Sequence, residues 1–100
     1  MSQANDATTR LIQITGTVQG VWFRGWTVKT ARSLGLSGWV RNRRDGSVEA
    51  LLHGPMAAVD EMIVACRKGP PAARVEEVVV ADAPLPKEDV TGGFTQRPTI

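Results

Sequence analysis

Hydrophobic and polar residues alternate along the first part of the chain. Ile12 and Ile14 lie on either side of polar Gln13, and the same alternation continues through the segment. A period of two residues is typical of a half-buried strand, so we predict a strand over residues 9–18. The preceding residues 1–8 are small and polar and are predicted to form a flexible N-terminal tail.

The period then changes from two residues to three and four. The residues that recur at this spacing are Phe23, Thr27, Ala31 and Leu34. Such a stripe is typical of a helix with one apolar face, and glycine, here Gly35, is common directly after a helix end. We therefore predict a helix over residues 24–34.

Two short runs rich in Trp, Val and Leu follow, over residues 37–42 and 47–53. The Asp45-Gly46 pair between them is a strong signal for a tight turn, because glycine accepts a positive φ. The two runs are predicted to form antiparallel neighbouring strands, with Asn42 at the end of the first one.

A second helix is predicted after Gly54, with Pro55 in its first turn, where the missing N–H is not needed. The residues of its apolar stripe are Val59, Met62, Ile63 and Cys66. Charged residues occupy the other side of this helix. It is therefore predicted to bury Cys66 and to end at Gly69.

The remaining pattern completes the fold. A β-branched run over residues 75–81 predicts a strand, and residues 93–97 predict a short final extended piece. This order predicts an α+β, ferredoxin-like βαββαβ sandwich, with two helices on one face of an antiparallel sheet and solvent on the other. The 100 residues suffice for one core, so residues 9–98 are predicted to form a single domain.

The composition indicates the class of protein and its cellular compartment. With 42% hydrophobic and 22% charged residues, the chain is not disordered by composition. Cys66 is the only cysteine and has no internal disulfide partner, which fits a reducing compartment. No apolar run approaches the ~18 residues of a membrane span, and the first residues lack a signal-peptide pattern. We expect a cytoplasmic protein without a membrane partner.

The charge is unevenly distributed along the chain. Residues 1–50 carry seven Lys and Arg against three Asp and Glu, whereas residues 51–100 carry five against seven. The net charge of +2 is too small for a strong nucleic-acid binder. The imbalance indicates an anion site in the first half.

Few residues are available for nucleophilic or metal chemistry. The only histidine is His53, and Cys66 lies on an apolar helix stripe, so a nucleophile beside a base is not expected. A structural zinc site needs four Cys or His ligands, and the chain has two such residues. Chemistry without a metal, or no chemistry, remains.

The junction of the first strand and the first helix offers an anion site. A turn at Gly20 can aim successive backbone N–H groups at one point, where the helix N-terminus adds partial positive charge. Arg24 can add a bidentate guanidinium to the same oxygens. From these residues alone, two interpretations stay open: a phosphate-binding loop, or a tight turn beside a solvated arginine.

Two motifs together resemble the acylphosphatase family. They are Val-Gln-Gly-Val-x-Phe-Arg at residues 18–24 and the hairpin at residues 38–49 that contains Asn42. The resemblance extends over about residues 10–97. Two departures are visible, since Thr17 stands where the family often has arginine and Gly25 stands where larger residues are frequent. Neither removes a catalytic group, so they bear on rate and helix stability.

The resemblance implies hydrolysis of an acyl phosphate to a carboxylate and inorganic phosphate, without metal or cofactor. It implies that Arg24 binds the phosphoryl group, that Asn42 positions the attacking water and that the substrate phosphate accepts the proton. The matching phosphate-binding residues, acting through main-chain N–H groups and the arginine, are Gln19, Gly20, Val21, Trp22, Phe23 and Arg24. Inorganic phosphate is then product and inhibitor, and a monomer is expected.

A non-catalytic phosphate- or RNA-binding module on the same fold is the alternative. Arg41, Arg43 and Arg44 form a basic cluster, but few aromatic residues are available to stack on bases, so no nucleic-acid partner is expected. The presence of both Arg24 and Asn42 favours the enzyme, because an anion binder has no use for a water-orienting amide.

Overall fold

The computed structural model describes residues 7–84 and 93–100. The elements in chain order are β1 (Ala7–Thr17), α1 (Phe23–Ser33), β2 (Ser37–Asn42), β3 (Val48–Pro55), α2 (Met56–Lys68), β4 (Arg74–Asp82) and β5 (Phe94–Gln96). The predicted βαββαβ order with a short last strand is confirmed. Residues 1–6 of the predicted tail lie outside the described part of the chain.

The five strands form one sheet in the order β4-β1-β3-β2-β5. Each neighbouring pair among the four longer strands is antiparallel, as predicted, and β5 adds a parallel pair to β2 at one edge. β1 and β3 pair over most of their length, with Ile12 opposite Ala50 and Ile14 opposite Val48. The order of the strands in the sheet thus places β1 and β2 on either side of β3.

The hydrophobic core lies between this sheet and the two helices. The sheet contributes the inward side chains of Ile12, Ile14, Val40, Val48, Ala50, Leu52 and Val78. The α2 side chains predicted to face inward, Val59, Met62, Ile63 and Cys66, are all buried. The apolar stripe of α1 is buried as far as Ala31, and Leu34 is partly buried against the core.

The second face of the sheet is more covered than the sequence predicts. Trp39 is 7% exposed and Leu51 is 5% exposed, and these two residues are paired across β2 and β3. The guanidinium carbons of Arg41 and Arg97 lie 4.5 and 5.0 Å from the centre of the Trp39 ring. Contacts of this kind shield an aromatic ring with charged side chains that remain hydrated at their tips.

Several element bounds differ from the prediction, because strand pairing extends the elements. β1 begins at Ala7 instead of residue 9, since Ala7 pairs with Pro55 of β3. Pro55 is therefore the last strand residue, directly before α2, and does not lie in the first helical turn. α1 begins at Phe23, so Arg24 is its second residue.

Candidate active site

The loop between β1 and α1 contains two residues with positive φ. Gly20 has φ 77° and Trp22 has φ 66°, and Trp22 is the only such non-glycine residue within the described ranges. Across those ranges, no backbone N–H of residues 19–25 donates a hydrogen bond. Successive unpaired N–H groups at a turn and a helix N-terminus form a concave site for an anion.

The first turn of α1 carries positive charge that no acidic side chain of the described residues balances. It has no acidic residue and no side-chain cap, although both are the usual ways to satisfy a helix N-terminus. Arg24 instead adds positive charge at the positive end of the helix dipole. The Arg24 side chain makes no hydrogen bond or ion pair within residues 7–84 and 93–100.

A small pocket of about 130 Å³ opens at this helix end. The residues that line it are Val18, Gly20, Trp22, Phe23, Arg24, Gly25, Asn42 and Gln96. Typical small-molecule sites measure about 300–1,000 Å³, so this pocket suits a small anionic group. The pocket therefore brings Asn42 together with four of the six residues predicted to bind phosphate, Arg24 among them, whereas Gln19 and Val21 do not line it.

Asn42 is the last residue of β2, and its side-chain amide oxygen is buried. Oδ1 is buried and has no hydrogen-bond partner within the described chain. An unsatisfied buried acceptor is unfavourable by about 1–3 kcal/mol. The backbone of Asn42 is fixed, because its carbonyl oxygen accepts from Ile100 N at 3.2 Å and β2 pairs with β3 beside it.

Gln19 connects the loop to the β2–β3 hairpin instead of facing the pocket. Its Nε2 donates to the carbonyl oxygens of Arg43 at 2.7 Å and of Ser47 at 2.8 Å. Val21 packs against the hydrophobic core. These two side chains therefore position the loop, a role that the spacing of the motif does not disclose.

The hairpin turn is held by Asp45. Its Oδ1 accepts from the backbone N of Ser47 at 2.9 Å and from the Ser47 hydroxyl at 2.6 Å. These hydrogen bonds, the one from the hydroxyl foremost, lower the pKa of Asp45. A carboxylate that stays ionised keeps the turn closed, and the turn joins the strand that ends at Asn42 to β3.

The basic cluster of the hairpin is partly neutralised. Arg41 forms a salt bridge with Glu49 at 2.8 Å, and Arg43 lies 3.4 Å from the other oxygen of the same carboxylate. Glu49 is itself 9% exposed. Two of the three arginines are thus committed to internal pairs, which leaves less positive charge for a nucleic-acid backbone.

His53 and Cys66 occupy structural positions. A hydrogen bond of 2.8 Å joins His53 Nδ1 to Thr9 Oγ1 across β3 and β1. Cys66 is fully buried on α2, and burial raises the pKa of its thiol to about 12. Neither residue lines the pocket.

Two features of the pocket were not predicted from the sequence. Gln96 of β5 lines it, because Gln96 is paired with Val40, two residues before Asn42 in β2. The Gly25 departure also has a structural reason. A Cβ at position 25 would lie 2.1 Å from Nε1 of Trp22, so the indole occupies the space of a side chain. Thr17 does not line the pocket.

Within the described residues, no helix is long and apolar enough to cross a membrane. Over the same residues, no three His, Cys, Asp or Glu side chains gather into a group that could hold a metal ion.

Comparison with known proteins gives a consistent result. The family model described as Acylphosphatase matches residues 11–95. An acylphosphatase of Rhodospirillum rubrum is 58% identical over 92 residues, which cover 92% of this chain and 98% of the relative. The solved structure of an acylphosphatase from Coxiella burnetii superposes with a TM-score of 0.86 at 31% identity, covering 97% of this chain and 100% of that one. The solved structure of the acylphosphatase from Bacillus subtilis superposes with a TM-score of 0.82 at 32% identity, covering 89% of this chain and 97% of that one.

Proposed function

Because the chain belongs to the acylphosphatase family, we propose that the pocket beside Arg24 and Asn42 is its active site. The activity is that of the family: an acyl phosphate and water give a carboxylate and inorganic phosphate. One observation carries the assignment of the site. Arg24, whose side chain has no partner in the described residues, and Asn42 line the same pocket as Gly20, Trp22 and Phe23, whose backbone N–H groups are unpaired in those residues.

Arg24 and the loop bind the phosphoryl group in this proposal. The phosphoryl oxygens accept from the guanidinium and from main-chain N–H groups of residues 19–24, and the positive end of α1 lies behind them. Open space next to Gly20 lets the anion approach the backbone closely. Phosphoryl transfer requires mainly positioning and neutralisation of charge on these oxygens.

Asn42 positions the nucleophile. A water molecule held by the Asn42 carboxamide, which lines the pocket, is directed at phosphorus opposite the acyl oxygen. The water oxygen bonds to phosphorus, the bond from phosphorus to the acyl oxygen breaks, and its electron pair leaves with the carboxylate. A phosphoryl oxygen takes the water proton.

The leaving group explains why few residues are needed. A carboxylate is a weak base, so no general acid has to protonate it, and neither a histidine nor a pair of carboxylates lines the pocket. The guanidinium and the N–H groups supply the charge stabilisation that a metal provides in other phosphoryl-transfer enzymes. We therefore propose a reaction without metal or cofactor, inhibited by its product inorganic phosphate.

The proposal includes the cellular compartment, the oligomeric state and the bounds of the folded domain. The buried, unpaired Cys66 suits a reducing cytoplasm, and we propose a monomer. Residues 9–98 are proposed as the folded domain. The RNA-binding alternative gains no support, since Arg41 and Arg43 are paired with Glu49.

Hydrolysis of benzoyl phosphate in the presence of a chelator tests the function. We expect release of inorganic phosphate above the uncatalysed rate, unchanged by the chelator and competitively inhibited by added phosphate. Absence of turnover, together with phosphate binding detected by calorimetry, would instead identify a binding module. Loss of activity on chelation would refute the metal-free mechanism.

A further inference from the structure

Trp22 combines two unfavourable features that phosphate binding does not require. Its side chain is 61% exposed, and its backbone has φ 66°, a conformation in which a non-glycine residue is strained by about 1–3 kcal/mol. A glycine would offer the same backbone N–H without either disadvantage. The indole itself therefore has a use that the phosphate site leaves unexplained.

The position of the indole is defined by Gly25. Nε1, Cδ1 and Cε2 of Trp22 lie 2.1, 2.7 and 2.8 Å from the point where a Cβ of residue 25 would be. The five-membered ring thus packs on the bare backbone of the first helical turn, next to Arg24. Any side chain at position 25 would displace it from the edge of the pocket.

The small size of the pocket places the acyl group at the pocket mouth, beside Trp22. About 130 Å³ is room for a phosphoryl group and a water molecule, so the rest of the substrate has to extend out through the mouth. The exposed residues that line the pocket are Gly20, Trp22 and Gln96. Of these three, Trp22 alone presents a flat apolar surface.

We infer that the Trp22 indole, packed on Gly25 at the pocket mouth, is the contact surface for the acyl group and makes the enzyme selective for acyl phosphates with a planar, apolar acyl group. This inference rests on the proposed function. It assigns Trp22 to substrate selection and leaves the reacting atoms to Arg24 and Asn42. Offset stacking of an aromatic acyl group on the indole supplies the preference.

The selectivity ratio tests this inference. It is the kcat/KM for benzoyl phosphate divided by that for acetyl phosphate, and damage that affects both substrates equally leaves it unchanged. Trp22→Gly suits the positive φ and removes the indole, and we expect the ratio to fall about tenfold, as for the loss of one aromatic contact. Trp26→Phe, which changes the tryptophan one turn further along the chain, within α1, is the matched control and should keep the wild-type ratio.

Gly25→Ala provides an independent arm. The added methyl group displaces the indole, so this variant should also lower the ratio. In the double variant Trp22→Gly/Gly25→Ala there is no indole to displace, and the ratio should equal that of Trp22→Gly alone. A wild-type ratio in Trp22→Gly, or additive losses in the double variant, would overturn the inference. If the wild-type protein hydrolyses neither substrate, the proposed function fails first, and the two failures are thus distinguished.

Discussion

The carboxamide of Gln19 donates a hydrogen bond to the backbone carbonyl of Ser47 over 2.8 Å. A second bond from the same nitrogen to the Arg43 carbonyl measures 2.7 Å. These bonds fasten the loop that precedes α1 to the hairpin that follows β2. The groups proposed to bind phosphate and the amide proposed to hold water are thereby kept in a fixed relation, although they lie on different elements.

Gln19→Ala should weaken both stability and catalysis. It removes the hydrogen bonds to the Arg43 and Ser47 carbonyls, which keep their backbone donors Gly46 N and Arg43 N. At about 0.5–1.5 kcal/mol for each lost bond, we expect a loss of about 1–3 kcal/mol in the free energy of unfolding. Catalysis should fall further than stability explains, because the loop and Asn42 lose their alignment. Urea unfolding and benzoyl phosphate kinetics measure the two effects.

Gln13→Ala is the control for that experiment. Gln13 donates to the Ser47 hydroxyl at 3.1 Å, so it contacts the same hairpin residue without touching the loop. Full activity in Gln13→Ala beside reduced kcat in Gln19→Ala is the expected pair of results. Equal activity in both variants would remove the positioning role of Gln19.

Arg24→Ala should lose both turnover and phosphate affinity. Arginine contacts to a transferring phosphoryl group contribute about 10³- to 10⁵-fold to rate, against about 10²- to 10³-fold for one oxyanion-hole donor. Arg24→Lys should restore little, because the planar two-pronged guanidinium is lost. The measurements are kcat/KM and the inhibition constant of inorganic phosphate. Near-normal phosphate inhibition in Arg24→Ala would contradict the assignment.

Asn42→Ala should separate catalysis from binding. With the water acceptor gone, we expect kcat to fall by about 10²- to 10³-fold, while inhibition by inorganic phosphate is largely kept. Asn42→Asp should differ, because a carboxylate in the pocket repels the anion and raises the inhibition constant. Substantial residual activity in Asn42→Ala would rule out the water-positioning role.

Cys66 should make the protein less stable in alkali. Burial raises the pKa of its thiol from 9.0 to about 12. Below pH 9 the thiol is protonated in both states. Between these values the unfolded chain loses the proton and the folded chain keeps it, so the free energy of unfolding decreases by about 1.4 kcal/mol per pH unit.

Urea unfolding of the wild type and Cys66→Ala at about pH 8 and about pH 10.5 isolates this contribution, since other titrating groups affect both proteins alike. We expect the stability difference between the two proteins to shift toward the variant as the pH rises. A difference independent of pH would show that the thiol ionises as readily in the folded state as in the unfolded one.

The sequence alone predicts the elements whose signal is local. The stripe of α2 and the bounds of β2 agree with the structure, because periodicity and turn residues report the face that an element buries. The predicted bounds are wrong where pairing with a distant strand determines how far an element extends. β1 and β3 extend to Ala7 and Pro55 because each strand satisfies the other, and nothing in either segment alone indicates this.

The site shows the same division. The sequence motifs place Arg24 and Asn42 together at one pocket, but they cannot tell which atoms of the loop face it. Gln19, predicted as part of the phosphate loop, uses its side chain to hold the hairpin. Gln96 has no motif at all and reaches the pocket only through the parallel pairing of β5 with β2.

The strand order has a consequence for folding experiments. Arg24 follows β1 and Asn42 ends β2, and β3 lies between these two strands. The pocket therefore exists only once β3 has acquired both neighbours, and contacts so distant along the chain form slowly. In a refolding assay, the first turnover would mark completion of the sheet centre, and helices that form earlier on their own would remain silent.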